Sequence, residues 1–325
     1  MKNILQAAAV AAVAWAALFT TVPARAADDY PKMPVRIVCG FSAGSTADVT
    51  ARVVGAKIGD ILGQRFVVEN QTGAASSIAG ANVAHASKDG YTLYVGSAAN
   101  LINAAMKSDL KFDFVKDFTP IALLSSTPTV LVVNPALGVK NVKELIAFAK
   151  AKPDTVLFGS SGVGSSTHLA LELFKSLAQV KITHVPYSGS PQVVTDLLAG
   201  RLNGFFAPAS TVMGHVKAGK LLALAVTDAK RSAGFPDLPT MIEAGVPHFE
   251  SSLWFGIVAP AGTPQPIVDK LSRAANEALK SDAVMKAFKV QNIAAIGGTP
   301  AEFRAYIAAE NKRWSTLVKN AGLKK

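Results

Sequence analysis

From residue 35 onward, short apolar runs of strand character alternate with longer runs of helical character, and this alternation limits the fold more than any other feature. "VRIVC" (35–39) precedes "TADVTARVVGAKIGDIL" (46–62), "FVVEN" (66–70) precedes "SIAGANVAHA" (77–86), and "YTLYVG" (91–96) precedes "AANLINAAM" (98–106). The strand runs are β-branched and bounded by Gly, Asn or Ser, while the helical runs repeat apolar residues near a 3.6 period. The pattern predicts parallel sheets covered by helices on both faces. "TPIALLSSTPTVLVVNP" (119–135) reads as two strands joined through Ser-Ser-Thr-Pro. A second α/β series follows through "VKELIAFAKA" (142–151), "TVLFGS" (155–160), "STHLALELFKSLA" (166–178), "ITHVPY" (182–187), "PQVVTDLLAG" (191–200), "LNGFFA" (202–207) and "LLALAVT" (221–227). A Pro-rich loop (234–247), a return strand "SLWFGIVAP" (252–260) and two terminal helices near 264–280 and 300–321 complete the reading. The expected architecture is α/β with two lobes, 27–127 plus 252–325 and 128–251. Two chain crossings form a hinge, and the ligand cleft lies at the carboxyl ends of the strands.

The first residues read as a leader. Met1-Lys2-Asn3 supplies positive charge, 7–20 are apolar, and Ala24-Arg25-Ala26 is a small-x-small site, so export with cleavage after Ala26 is expected. The apolar run is short of the ~20 residues of a membrane span. The chain has 33 Lys and Arg against 22 Asp and Glu, but they are scattered without aromatic interleaving, which argues against nucleic acid. Cys39 is the single cysteine; it removes any internal disulfide or cysteine metal site, and its place in "VRIVC" marks a buried thiol.

Gly40-Phe41-Ser42-Ala43-Gly44 matches G-x-S-x-G, the nucleophile elbow of serine hydrolases. Only fifteen residues of the mature chain precede Ser42, too few for the strands and oxyanion loop that such an elbow follows. The five histidines offer Ser42 no partner within one lobe, His85 being expected in a first-lobe helix and His168, His184, His215 and His248 in the second lobe. A secreted esterase using Ser42 is therefore the lesser alternative. As a binding element the same turn is better equipped. Ser42, Gly44, Ser45 and Thr46 stand where a helix N-terminus leaves N–H groups unpaired, which suits a carboxylate. Plain capping by Ser45 or Thr46, with Asp48 favouring the dipole, is compatible with that role.

"FGSSGVGSSTHLALELFK" (158–175) is a second such turn. Gly159 and Gly164 have phosphate-loop spacing, but Ser165 stands where the lysine belongs, so neutral donors remain. His168 in this turn belongs to no recognisable metal-ligand pattern and reads as a hydrogen-bonding or capping residue. A third turn is "VPYSGSPQVV" (185–194) and a fourth "GSAANLINA" (96–104), which holds Ser97 and Ala98. Trp254 and Phe255 read as core, with a cleft wall as the sharper alternative.

The chain resembles the Bug or TctC-type extracytoplasmic receptors of tripartite tricarboxylate transporters. "VRIVCGFSAGSTADVTARVV", "DFTPIALLSSTPTVLVVNP", "GSSGVGSSTHLALELFK", "ITHVPYSGSPQVVTDLLAGRLNGFF" and "WFGIVAPAGTP" carry the resemblance in order along the full length. It implies a type II periplasmic-binding-protein fold with mainly parallel sheets. It also implies a periplasmic, non-enzymatic monomer without cofactor or metal, closing on a small organic acid and delivering it to a permease of one large and one small membrane subunit. The ligand contacts it implies fall on the first turn, Phe41, Ser42, Ala43, Gly44, Ser45, Thr46 and Asp48, and on Val163, Ser165, Ser166, Thr167 and His168. Tyr187, Gly189 and Ser190 follow in the third turn. The family's first loop is usually F-P-P-G-G-x-x-D, whereas both prolines and one glycine are missing here. Ala207 stands where the family commonly has Asp, which removes a partner for a ligand amine and points to non-amine acids. A carboxylate sensor uncoupled from transport is left open by the sequence, as is the choice between aliphatic and aromatic acids.

Overall fold

The computed structural model describes residues 29–106, 109–232, 234–251 and 253–320. The expected leader, and with it the expected cleavage site after Ala26, lies outside them. The described residues form two sheets. The first holds β1 (Val35–Cys39), β2 (Phe66–Asn70), β3 (Thr92–Ser97), β4 (Phe118–Thr127), β10 (Leu253–Pro260) and β11 (Ala294–Ala295), in the order β11-β4-β10-β3-β1-β2. The second holds β5 (Thr129–Val133), β6 (Leu157–Ser160), β7 (Thr183–Pro186), β8 (Gly204–Pro208) and β9 (Leu222–Val226), in the order β7-β6-β8-β5-β9. Helices α1 (Thr46–Leu62), α2 (Ser77–Ala84) and α3 (Ala98–Met106) follow the first three strands. Helices α4 (Val142–Ala151), α5 (Ser166–Ala178), α6 (Ser190–Leu198) and α7 (Ala209–Lys217) accompany the second sheet, and α8 (Gln265–Lys280), α9 (Asp282–Val290) and α10 (Pro300–Asn320) return to the first.

The sheets are mixed rather than mainly parallel. β1 pairs in parallel with β2 and β3, and β6 with β7 and β8, as the βα alternation requires. β10 is antiparallel to β3 and β4, and β5 to β8 and β9. The reason is the hinge. β4 carries the chain out of the first sheet and β10 carries it back, so the two run in opposite senses side by side, with Thr127 opposite Leu253.

The expected Ser-Ser-Thr-Pro connection is also corrected. β4 continues through Ser125, Ser126 and Thr127, and only Pro128 separates it from β5. The serines stay in the ladder opposite Phe255 and Trp254, and Ser125 Oγ meets Thr50 Oγ1 at 3.2 Å, so a polar residue is tolerated inside the sheet. Pro128, lacking an N–H, ends the pairing. Beside it, Thr227 Oγ1 donates to Ser251 O at 2.6 Å and Ser251 N to Thr227 O at 3.1 Å, tying the return crossing to the second sheet.

Helices α7 and α9 have no counterpart in the sequence reading. α7 carries Ser210, Thr211, Val212 and Gly214, residues of low helix propensity. α9 arises because Ser281 ends α8 and caps the next helix, its Oγ accepting from Val284 N at 3.5 Å. His85 lies one residue beyond α2 instead of inside it. Each sheet buries both faces. Ile37, Ala51, Val54 and Leu271 fill one side of the first sheet, and Tyr94, Phe118, Trp254, Phe303 and Trp314 fill the other. Trp254 is core: it is 0% exposed, and its indole N–H donates to Glu310 at 2.9 Å, as does that of Trp314. Leu169 of α5 also packs into this first-lobe cluster, so the lobes touch through apolar surface next to the second turn.

Candidate functional site

The first turn is built by local rules. Ser45 adopts an extended conformation and caps α1, its Oγ accepting from Asp48 N at 3.3 Å. Gly44 sits at φ 77°, a left-handed conformation that glycine enters without steric cost, and its N–H donates to Asp48 Oδ2 at 2.9 Å. Asp48 is held from behind, its Oδ1 accepting from Arg52 Nε at 3.0 Å and from Asn70 Nδ2 at 2.8 Å. Burial alone would raise its pKa; the hydrogen bonds from Arg52, Gly44 and Asn70 outweigh it, and the carboxyl lies below its ordinary value. The first-turn N–H groups of Thr46 and Ala47 then have no intrahelical acceptor.

The second turn repeats this design with different side chains. Ser165 is extended and caps α5, accepting from His168 N at 3.2 Å. Gly164 sits at φ 89°, and its N–H donates to His168 Nδ1 at 3.2 Å. His168 thus occupies the place of Asp48. Its ring lies against His184, centroids 4.2 Å apart, and its Nε2 is 3.7 Å from Glu172 Oε1, one helical turn on. His184 Nε2 meets Ser160 Oγ at 2.6 Å, and Ser160 Oγ accepts from Gly162 N at 3.1 Å. Burial, and then the neighbouring His168, lowers the His184 pKa to about 4. The N–H groups of Ser166 and Thr167 correspond to those of Thr46 and Ala47.

The two turns face each other across a cavity lined by Phe41, Ser45, Thr46, Ala47, Ser97, Ser161, Ser165, Ser166, Thr167, Ser190, Pro208, Leu253 and Phe255. Among the described residues, the N-termini of five helices meet there: α1, α3, α5, α6 and α7. Each helix end contributes roughly half a positive charge. Among the described residues no charged side chain is part of the lining. Two lining hydroxyls, Ser97 Oγ and Ser166 Oγ, are buried without a hydrogen-bond partner, although buried polar groups are normally satisfied. Ser97 is fixed from behind, since its N donates to Asn100 Oδ1 at 3.0 Å while Asn100 Nδ2 donates to the Tyr94 hydroxyl at 2.7 Å. The lobes also bond directly. Thr46 Oγ1 and Ser210 Oγ are 2.6 Å apart, and Ser42 Oγ donates to Gln192 Oε1 at 3.2 Å. With these direct bonds and a cavity of only about 20 Å³ between them, the lobes stand in a closed arrangement.

Of the residues expected from the sequence, Phe41, Ser45, Thr46, Ser97, Ser165, Ser166, Thr167 and Ser190 line this cavity. Ser42, Ala43, Gly44, Ala98, Val163, Tyr187, Gly189 and Ala207 shape the turns and strand ends around it without lining it. Ser42 is used in the contact between lobes. A side chain on Gly189 would run into Ser42, so that glycine permits the approach. The Tyr187 hydroxyl donates to Asp196 Oδ2 at 2.6 Å. Asp48 and His168 act behind their turns. Cys39 is buried, and burial pushes its thiol up to about 12. Among the described residues no group of three or more His, Cys, Asp or Glu is placed to hold a metal ion.

Ala47, Ser161, Pro208 and Leu253 also line the cavity without a mark in the sequence reading, whereas Phe255, read there as core or cleft wall, does line it. Leu253 and Phe255 both lie on the return strand. Also unforeseen is Ala74–Ser76, three consecutive non-glycine residues at positive φ beside the second turn. Gly40 makes room for it, since a Cβ there would collide with Ser76. Such strain is uncommon away from functional sites.

The family model for the tripartite tricarboxylate transporter family receptor, TctC, matches residues 50–323. Protein BugT of Bordetella pertussis is 37% identical over 300 residues, covering 92% of each chain. The structure of Rhodopseudomonas palustris Rpa4515 with adipate superposes with a TM-score of 0.86 at 36% identity, covering 90% of this chain and 99% of that one. MatC from the same organism, with bound malate, gives 0.86 at 30% identity, covering 89% and 100%. The chain belongs to the TctC receptor family and has the two-lobe α/β fold of its periplasmic solute-binding proteins, which are not enzymes.

Proposed function

We propose that this receptor captures a small, non-amine carboxylic acid between its lobes and presents it to a tripartite tricarboxylate-type transporter. The observation that carries the reading is the convergence of five helix N-termini on a cavity where Ser97 Oγ and Ser166 Oγ have no protein partner. Neutral N–H and O–H donors with aligned dipoles stabilise a carboxylate without a cation. An ammonium group would enter without a counter-charge, because neither Asp nor Glu lines the cavity. Thr46, Ala47 and Ser97 supply donors from the first lobe, Ser166 and Thr167 from the second. Phe41, Leu253 and Phe255 enclose the carbon skeleton. The related structures with adipate and malate support this class. Closure brings the second-lobe donors onto the acid, so ligand shifts the population towards the closed form.

In this reading the lobes are 27–127 with 252–325, and 128–251. The leader is removed after Ala26, and the monomer docks on a permease of one large and one small membrane subunit. A thermal-unfolding screen of refolded mature protein tests the ligand. Mono-, di-, tri- and aromatic carboxylates are compared with amino acids and sugars. An acid at a hundred times its Kd adds about 2.7 kcal/mol and raises Tm by roughly several degrees. A shift from amino acids or sugars alone would overturn the reading. Transport coupling is tested by uptake of the same acid in cells lacking the receptor or the permease.

A further inference from the structure

We infer that His168 and His184 are positioning residues that make the second-lobe half of the site, and only that half, responsive to acid. The geometry is specific. His168 Nδ1 accepts from Gly164 N–H, so this nitrogen is unprotonated when the turn is formed. The equivalent bond in the first lobe goes to a carboxylate, Asp48. Protonation at Nδ1 converts the acceptor into a donor facing Gly164 N–H, and the bond that sets the left-handed glycine is lost. Gly164 is followed directly by Ser165, Ser166 and Thr167, which line the cavity.

His184 adds a second constraint. Its ring is 4.2 Å from that of His168, and its Nε2 holds Ser160 Oγ, which in turn accepts from Gly162 N–H at the start of the same turn. Two imidazolium ions in contact repel, so the pair takes one proton reluctantly and two not at all. The depressed pKa of His184, caused by burial and by His168, agrees with this. Among the described residues, Glu172 and Lys175 on α5 also face the pair, and they bond each other at 2.9 Å. The neighbouring β6, β8 and α3 carry no titratable side chain, and Lys312 and Arg313 of α10 lie further along α5, beside Leu173 and Leu177. Acid therefore unsettles one seat for the acid ligand and leaves the other intact, which loosens the closed form. The consequence for binding rests on the carboxylate reading above; the response of the turn does not.

The test follows backbone amides of 15N-labelled protein from about pH 7.5 to about pH 4, from above the ordinary histidine range down to the depressed value of His184. Gly164, Ser166 and Thr167 should move together while Gly44, Thr46 and Ala47 stay still. His168→Asn supplies a side-chain oxygen where Asp48 supplies one, and should hold Gly164 in place across the range. If that variant does not fold, the ring-proton shifts of wild-type His168 must share the Gly164 midpoint. A Gly164 amide that stays flat in wild type, or titrates unchanged in His168→Asn, overturns the inference. Adipate, malate and benzoate are titrated at about pH 7.5 and about pH 5.5 by calorimetry. An acid that binds should weaken about tenfold at the lower pH, one pKa unit of linkage, and clearly less in His168→Asn. Binding that is equal at both pH values while Gly164 titrates overturns the functional consequence. No binding by any of the three while Gly164 titrates counts against the carboxylate reading and leaves the response of the turn supported.

Discussion

The turns at Gly44–Asp48 and Gly164–His168 solve one problem with two chemistries. Each places a glycine at positive φ, a serine N-cap, two first-turn residues lining the cavity, and a side chain four residues on that accepts the glycine N–H. In the first lobe that acceptor is a carboxylate tied to Arg52 and Asn70. In the second it is an imidazole leaning on another imidazole. The shared part is what a helix N-terminus needs in order to offer donors. The differing part decides how firmly each turn is held and over what pH range. One lobe carries a fixed seat, and the other carries a seat that depends on the state of two histidines.

Substituting the glycines is expected to separate the turns most. Gly164→Ala places a methyl group against Asn103 Oδ1 at a left-handed φ, whereas the nearest atom to a Gly44 Cβ is Pro191 Cγ at 3.6 Å. Strain and overpacking together should cost Gly164→Ala about 3 kcal/mol, and strain alone should cost Gly44→Ala about 1–2 kcal/mol. Urea unfolding of the two variants measures the difference; equal losses would mean that Asn103 yields freely.

Removing the acceptors comes next. Asp48→Ala takes the acceptor from Gly44 N–H and one partner each from Arg52 and Asn70, which keep their bond to each other, and should cost about 2–3 kcal/mol, against roughly 1–2 kcal/mol for His168→Ala. A larger loss from His168→Ala would show that the imidazole pair, not the carboxylate network, is the stronger support.

Ser45→Ala and Ser165→Ala probe what the turns share. Each should cost about 1 kcal/mol in the ligand-free protein, and the two losses should agree closely. Unequal values would break the equivalence of the turns.

The smallest effect near neutrality is pH dependence. His184 has its folded pKa depressed from 6.5 to about 4, so its contribution is complete above about 6.5 and is lost as pH falls towards 4. Asp48, also depressed, keeps its contribution down to below its ordinary value of 3.8. Tm should therefore decline between about pH 6.5 and 4 in wild type, and decline less in His184→Gln.

The alternation of β-branched runs with 3.6-period runs was enough to specify an α/β chain in two lobes, because periodicity reports which face of an element is buried. The Gly-Ser-Thr turns were legible for a related reason: capping chemistry is local, and Ser45 and Ser165 form their bonds within three residues. The mixed sense of the sheets was not legible, since strand direction at β4, β5 and β10 follows from how the chain crosses between lobes. Nor was the duty of the acid and the histidine. Asp48 and His168 close the two cavity turns in sequence, yet each faces backwards, towards partners as distant in sequence as Asn70 and His184. Leu253 and Phe255 reach the cavity from a strand that returns after a whole lobe has intervened. Local chemistry and periodicity act over a few residues and can be read along the chain. Which donors remain without partners, and what stands behind them, is decided only when the two lobes meet.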